Sequence, residues 1–148
     1  MPLREPVEIV PNVYVSGEII GDRRVDERLY VIDERGLRVD PIIDEQYLFM
    51  NVNGKKIMIV GCSHPGIDVM VEHCLKTFKV DRIDAIIGGL HLAWSNEDYI
   101  KSMVSKLKDL NVDELYPGHC TGDSGIKVLK EIYGDKCKSL YIGLKLNF

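Results

Sequence analysis

From Tyr47 onward the apolar residues of this chain fall into two alternating periods. Tyr47-Leu48-Phe49-Met50-Asn51-Val52 and Lys56-Ile57-Met58-Ile59-Val60 are short strand-like runs flanking Asn53-Gly54. That dipeptide between two apolar runs is a strong hairpin signal, because both residues accept the positive φ that a tight, twist-matched turn needs. After Val60 the period changes. Pro65 suits a first helical turn, and Ile67, Met70, Val71, Cys74, Leu75 and Phe78 recur at helical spacing. A strand over Ile83 to Ile87 follows. Then comes a helix opened by Ser95, with Asn96, Glu97 and Asp98 in its first turn and Tyr99, Ile100, Met103, Val104, Leu107 and Leu110 along it. The pattern continues with a strand over Glu114 to Tyr116, a helix from Ser124 to Tyr133 ended by Gly134, and a last strand over Leu140 to Leu146.

The pattern predicts a ββαβαβαβ unit over 47–148, an α/β layered architecture with a mixed sheet and helices on one face. Residues 1–46 read differently. Charge clusters (Asp22-Arg23-Arg24, Asp33-Glu34-Arg35) and Pro/Gly punctuation surround short β-type pieces such as Val13-Tyr14-Val15 and Leu29-Tyr30-Val31-Ile32, so this part is expected as strands and loops. At 148 residues with 45% hydrophobic side chains, the chain fits one domain with a real core.

Composition removes several function classes. A net charge of −4 argues against nucleic acid as main partner, since phosphate binding needs a clustered basic surface. The apolar runs are too short to span a membrane, and Met1-Pro2-Leu3-Arg4-Glu5-Pro6 has no signal-peptide core, so a cytoplasmic protein is expected. Four cysteines, Cys62, Cys74, Cys120 and Cys137, are irregularly spaced without a C-x-x-C pair and are expected as free thiols.

Chemistry concentrates at strand ends. His64, His91 and His119 each follow a short apolar run, in Gly61-Cys62-Ser63-His64, Gly88-Gly89-Leu90-His91 and Pro117-Gly118-His119-Cys120. Ligands of open α/β sheets bind outside the carboxyl ends of the strands, so the three imidazoles can converge. Imidazole suits zinc, manganese and iron alike. His91 can ligate metal, hydrogen-bond a substrate or carry a proton. His73 falls inside a predicted helix and reads as an ordinary surface or partly buried side chain. Cys62 and Cys120, each within two residues of a histidine, read as core residues or as activated thiols.

These motifs, Gly61-Cys62-Ser63-His64-Pro65-Gly66-Ile67, Gly88-Gly89-Leu90-His91-Leu92 and Gly118-His119-Cys120-Thr121-Gly122, resemble the successive motifs of metallo-β-lactamase-fold hydrolases. The branch they look most like is the one related to dihydropterin ribofuranosylaminobenzene phosphate synthase. Val13 to Glu18 and Asp40 to Gln46 look like the same branch. The resemblance implies an αββα sandwich with a metal site at one edge of its sheets, His64 and His119 as metal ligands, His91 as the catalytic candidate, and Ser63, Thr121 and Gly122 as substrate-binding positions. Zinc is the first expectation for the metal, with manganese or iron as alternatives.

One departure matters. The family's H-x-H-x-D-H signature precedes these motifs, and no two histidines here lie one residue apart. The chain therefore resembles the C-terminal half of a complete member. A hydrolytic metal centre usually needs at least three protein ligands and an open position. His64, His119 and His91 have no assigned carboxylate beside them, Asp44, Glu45 and Asp123 being the candidates. A half-sandwich would also leave one apolar sheet face uncovered. The leading expectation is half of a metal-dependent hydrolase of esters or phosphoesters, completed by a separate N-terminal-half chain. The alternatives are a noncatalytic, homo-oligomeric module with residual metal or anion binding, and a thiol-dependent enzyme.

Overall fold

In the computed structural model, which describes residues 3–148, a six-stranded sheet carries three helices on one face. Its strands are β1 (Val7–Val10), β2 (Val13–Val15), β5 (Tyr47–Val52), β6 (Lys55–Val60), β7 (Ile83–Gly89) and β8 (Val112–Gly118), in the spatial order β1-β2-β5-β6-β7-β8. The first four pair antiparallel, whereas β6, β7 and β8 run parallel. Parallel neighbours need crossovers, which α1 (Ile67–Phe78) and α2 (Glu97–Asp109) supply, and α3 (Gly122–Tyr133) follows β8. A separate two-stranded hairpin, β3 (Tyr30–Asp33) with β4 (Gly36–Val39), stands apart from the sheet. The expected α/β class, mixed sheet and one-sided helices are all present.

Local chemistry explains the element ends. Asn53 and Gly54 sit at φ 51° and 81°, the two left-handed positions of the tight turn between β5 and β6. Helix α2 is capped by Asn96 rather than the expected Ser95, since its side chain accepts from the Tyr99 N–H. Helix α1 starts at Ile67, after Gly66 at φ 101°, two residues later than Pro65 suggested.

The two sheet faces are covered by different means. Met58, Val60, Ile86 and Leu115 point to the helical side and share one core with Met70, Val71, Cys74, Ile100, Val104, Leu107 and Leu129. On the opposite face Ile57, Ala85 and Tyr116 form a smaller cluster, packed by Leu140, Leu144, Leu146 and Phe148 of the C-terminal segment.

That segment corrects one expectation, because Leu140 to Leu146 forms no strand. It starts beside edge strand β8, where Lys138 N–H donates to the Leu115 carbonyl and Leu140 N–H to that of Pro117. It then turns at Tyr141–Leu144, with Gly143 at φ 90°, and lies across the sheet. An apolar face left open to water would cost about 25 cal/mol per Å², and the alternating leucines lower that cost by packing onto it instead of extending the ladder. The uncovered face expected of a half-sandwich is therefore partly covered from within.

No helix among the described residues is long and apolar enough to cross a membrane.

Candidate functional site

The carboxyl ends of β6, β7 and β8 meet because their register aligns them. Val60 pairs with Gly88, and Gly88 and Gly89 pair with Pro117 and Gly118. The approach is too close for side chains. A Cβ on Gly88, at φ 136°, would lie 2.0 Å from the Val60 carbonyl oxygen, and one on Gly89 would lie 2.6 Å from both Cys120 Sγ and the Gly61 oxygen.

Beyond each strand the backbone turns through a left-handed non-glycine residue: Ser63 at φ 63°, His91 at 53° and His119 at 47°. Each such residue costs on the order of 1 kcal/mol, so the surroundings must hold it. Ser63 Oγ donates to the Gly89 carbonyl at 2.7 Å, Thr121 Oγ1 accepts from Leu90 N–H at 3.0 Å, and Leu92 and Ala93 N–H both donate to the Cys120 carbonyl.

Ser63 and Thr121 are fully buried, and through these bonds to Gly89 and Leu90 they tie the strand ends together. Gly122, the third expected substrate position, begins α3 at φ 67° against Ala93, whose Cα a Cβ there would meet at 2.8 Å.

The three histidines do come together. His64, His91 and His119 line one cavity of about 340 Å³ with Cys62, Cys120, Leu29, Trp94, Asp26 and Arg28. The His64 and His91 ring centroids are 4.6 Å apart. A larger cavity of about 650 Å³, lined by Asp81, Arg82, Lys108 and Lys136 among others, contains none of the residues the sequence motifs mark.

Each of two imidazoles is held by a carboxylate from the first 46 residues. Glu45 Oε2 accepts from His64 Nδ1 at 2.9 Å and from His64 N–H at 2.8 Å, while Oε1 accepts from Ser63 N–H at 2.7 Å. Asp26 Oδ2 accepts from His91 Nε2 at 2.9 Å. Arg28 donates to Asp26 from its backbone, Nε and Nη2, and these bonds together with the His91 bond hold the Asp26 carboxyl well below the usual carboxylate range. The Arg28 guanidinium stacks over Trp94, 4.3 Å from the ring centre. Arg24, in the same segment, is anchored to the buried Asp68 on α1, which also takes Lys106 of α2.

His119 is exposed and its side chain makes no hydrogen bond within the described residues, and Asp44 and Asp123 are exposed away from the cavity lining. His73 is buried: Tyr47 Oη lies 2.8 Å from Nδ1, Thr77 Oγ1 lies 3.3 Å from Nε2, and burial lowers its pKa. All four cysteines are free. Burial pushes the Cys120 thiol up to about 11, so it is protonated at neutral pH, and its Sγ–H donates to the Cys62 carbonyl.

Glu45 was a candidate in the sequence, but as a metal ligand; the structure makes it the partner of His64. Asp26 and Arg28 were missed because they sit in an ordinary charge cluster, 65 residues from His91 in the case of Asp26. Trp94 carried a signal, being the only tryptophan and three residues after His91.

These donors fit a metal centre only in part. His64 suits one, since a carboxylate on Nδ1 leaves Nε2 open, the usual arrangement behind a ligating histidine. The remainder does not complete a site: His91 gives Nε2 to Asp26, and among the described residues no group of three His, Cys, Asp or Glu side chains is arranged to hold a metal ion.

No family model matches the chain. It is 29% identical over 151 residues to the 7,8-dihydropterin-6-methyl-4-(β-D-ribofuranosyl)-aminobenzene-5'-phosphate synthase of Methanocaldococcus jannaschii, covering 98% of this chain and 51% of that protein. It is also 29% identical over 131 residues to an uncharacterized protein of the same organism, covering 88% of this chain and 48% of the relative. Among solved structures, Tm1679, described as a metal-dependent hydrolase of the β-lactamase superfamily, superposes with a TM-score of 0.81 at 30% identity, over 97% of this chain and 56% of its own. The chain spans about half the length of the curated relatives it matches.

Proposed function

We propose that this chain, which superposes on a metal-dependent hydrolase of the β-lactamase superfamily and spans about half of the dihydropterin synthase it resembles, corresponds to the C-terminal half of that fold and has the role of a half-site. It contributes His64 and His119 to a hydrolytic metal centre that other residues complete. The observation that carries this reading is the Glu45–His64 pair, which fixes the ring with Nε2 unengaged beside the cavity that His119 also lines. The missing donors are those of the H-x-H-x-D-H signature, which this sequence lacks. They would come from a complementary segment, covalently joined or separate.

The reaction class is hydrolysis of an ester or phosphoester, and the metal is a divalent ion, zinc first. Such an ion, when bound, supplies Lewis acidity and a nucleophile at neutral pH. This chain's own part is to orient His64, to present His119, and to hold His91 beside them for hydrogen bonding or proton transfer.

The test uses the N-terminal half of the M. jannaschii synthase as the complement. Bound zinc and hydrolysis of bis(p-nitrophenyl) phosphate are measured for each half and for the mixture. A gain in both on mixing, lost with His64→Ala or His119→Ala, supports the half-site. A mixture that binds no more zinc than its parts, or one indifferent to both substitutions, contradicts it.

A second reading, a noncatalytic assembly module, draws on the β3–β4 hairpin. Register places Tyr30 opposite Val39 and Ile32 opposite Leu37, and Tyr30, Ile32 and Leu37 are exposed. A two-stranded hairpin is marginal alone, so a partner against these side chains would stabilise it.

A further inference from the structure

The two carboxylate–histidine pairs engage opposite nitrogens. Glu45 takes Nδ1 of His64, and Asp26 takes Nε2 of His91. A carboxylate offers only acceptors, so in each pair the ring nitrogen must carry the proton. A neutral imidazole has one proton, which fixes where the other lone pair lies.

We propose that Glu45 and Asp26 are positioning residues that hold His64 and His91 in opposite tautomers, Nδ1–H for His64 and Nε2–H for His91, leaving His64 Nε2 and His91 Nδ1 as bare acceptors. The geometry leaves little freedom. The Glu45 side chain is only 9% exposed and accepts three N–H groups, two of them from the backbone that carries His64, so carboxylate and ring are fixed in one frame. Asp26 is 8% exposed and braced by Arg28, which itself stacks on Trp94. On the other side of the His91 ring, Nδ1 is buried and has no hydrogen-bond partner. A proton there would be an unsatisfied buried donor, a penalty on the order of 1–3 kcal/mol, which favours placing it on Nε2.

Of the two lone pairs, His64 Nε2 lies beside the cavity and makes this end of the sheet an acceptor for a hydrogen-bond donor or a cation, whereas the His91 Nδ1 lone pair is buried within the chain. This inference goes beyond the half-site reading and does not depend on it, because tautomers are read without metal, complement or turnover.

The experiment is a long-range ¹H–¹⁵N correlation spectrum of the uniformly ¹⁵N-labelled chain at about pH 8, above the ordinary imidazole range. The expected spectrum shows His64 protonated at Nδ1 and His91 at Nε2. His64 decides, since free imidazole side chains in water favour Nε2–H. In Glu45→Ala, His64 reverts to mainly Nε2–H while His91 is unchanged; in Asp26→Ala, the His91 nitrogens move toward averaged values while His64 is unchanged. His73, tied to Tyr47 and Thr77 in the core, reports whether each variant remains folded. Wild-type His64 protonated at Nε2 overturns the proposal, as does a Glu45→Ala chain with native His73 signals and an unchanged His64 tautomer. If a substitution unfolds the chain, the wild-type spectrum alone still decides.

Discussion

The two faces of the six-stranded sheet are closed by unequal devices. On one, three helices bury a continuous core of aliphatic side chains and α1 is tied to α2 through the buried Asp68 and Lys106. On the other, nine residues without regular structure lay four apolar side chains over a cluster of three. The first face is self-sufficient. The second is covered by a single irregular segment, and Val7, Ile9 and Val10 on the edge strand β1 are exposed.

The helical face should respond most strongly to a point substitution. Leu115 is fully buried on β8, so Leu115→Ala should cost about 3 kcal/mol, measured by urea unfolding. A loss below about 1 kcal/mol would mean the helix-backed core is looser than its packing implies.

Next is the ionic tie. Burial pushes the Asp68 carboxyl up, but Arg24 and Lys106 outweigh it and bring it to about 2, below its usual 3.8. A depressed folded-state value means this stabilisation is present above about pH 4 and is lost as pH falls toward 2. Asp68→Asn should lower stability at pH 7 by about 2 kcal/mol, the partners being partly exposed, and should flatten the acid limb of the stability profile. An unchanged acid limb would remove Asp68 from the account.

The outer face should respond least to a point substitution. Leu144 is half-buried, and Leu144→Ala should cost no more than about 1 kcal/mol. Deleting 140–148 sharpens the contrast: it uncovers Ile57, Ala85 and Tyr116, and should turn the chain toward self-association in sedimentation experiments while the helical core persists. A truncated chain that stays monomeric would show that this face needs no cover.

Legibility in the sequence followed the range of the interactions. The β5–β6 hairpin was readable because Asn53-Gly54 is a local signal, and α1 to α3 because their apolar stripes repeat every three to four residues. The apolar run at Leu140 to Leu146 was equally clear, yet it does not say whether a strand will pair at the edge of β8 or lie across the sheet. That choice depends on which surfaces remain open after the rest folds. At the site, the strand-end position of the three histidines was legible from glycines and apolar runs. Their carboxylate partners were not, since Glu45 reaches His64 across 19 positions and Asp26 reaches His91 across 65. The backbone bonds of Ser63 to Gly89 and of Thr121 to Leu90 join neighbouring strand ends and were not legible either, since their partners lie 26 and 31 positions away.

As a half-site, this chain would hold part of a metal centre and take the remaining donors from a complementary segment. Equilibrium dialysis of the 148-residue chain alone against zinc, followed by metal analysis and a phosphodiesterase assay on the same samples, tests it most directly. The account predicts weak binding, reduced by His64→Ala and His119→Ala, with little or no hydrolysis. Tight stoichiometric zinc with robust metal-dependent turnover by this chain alone would contradict it.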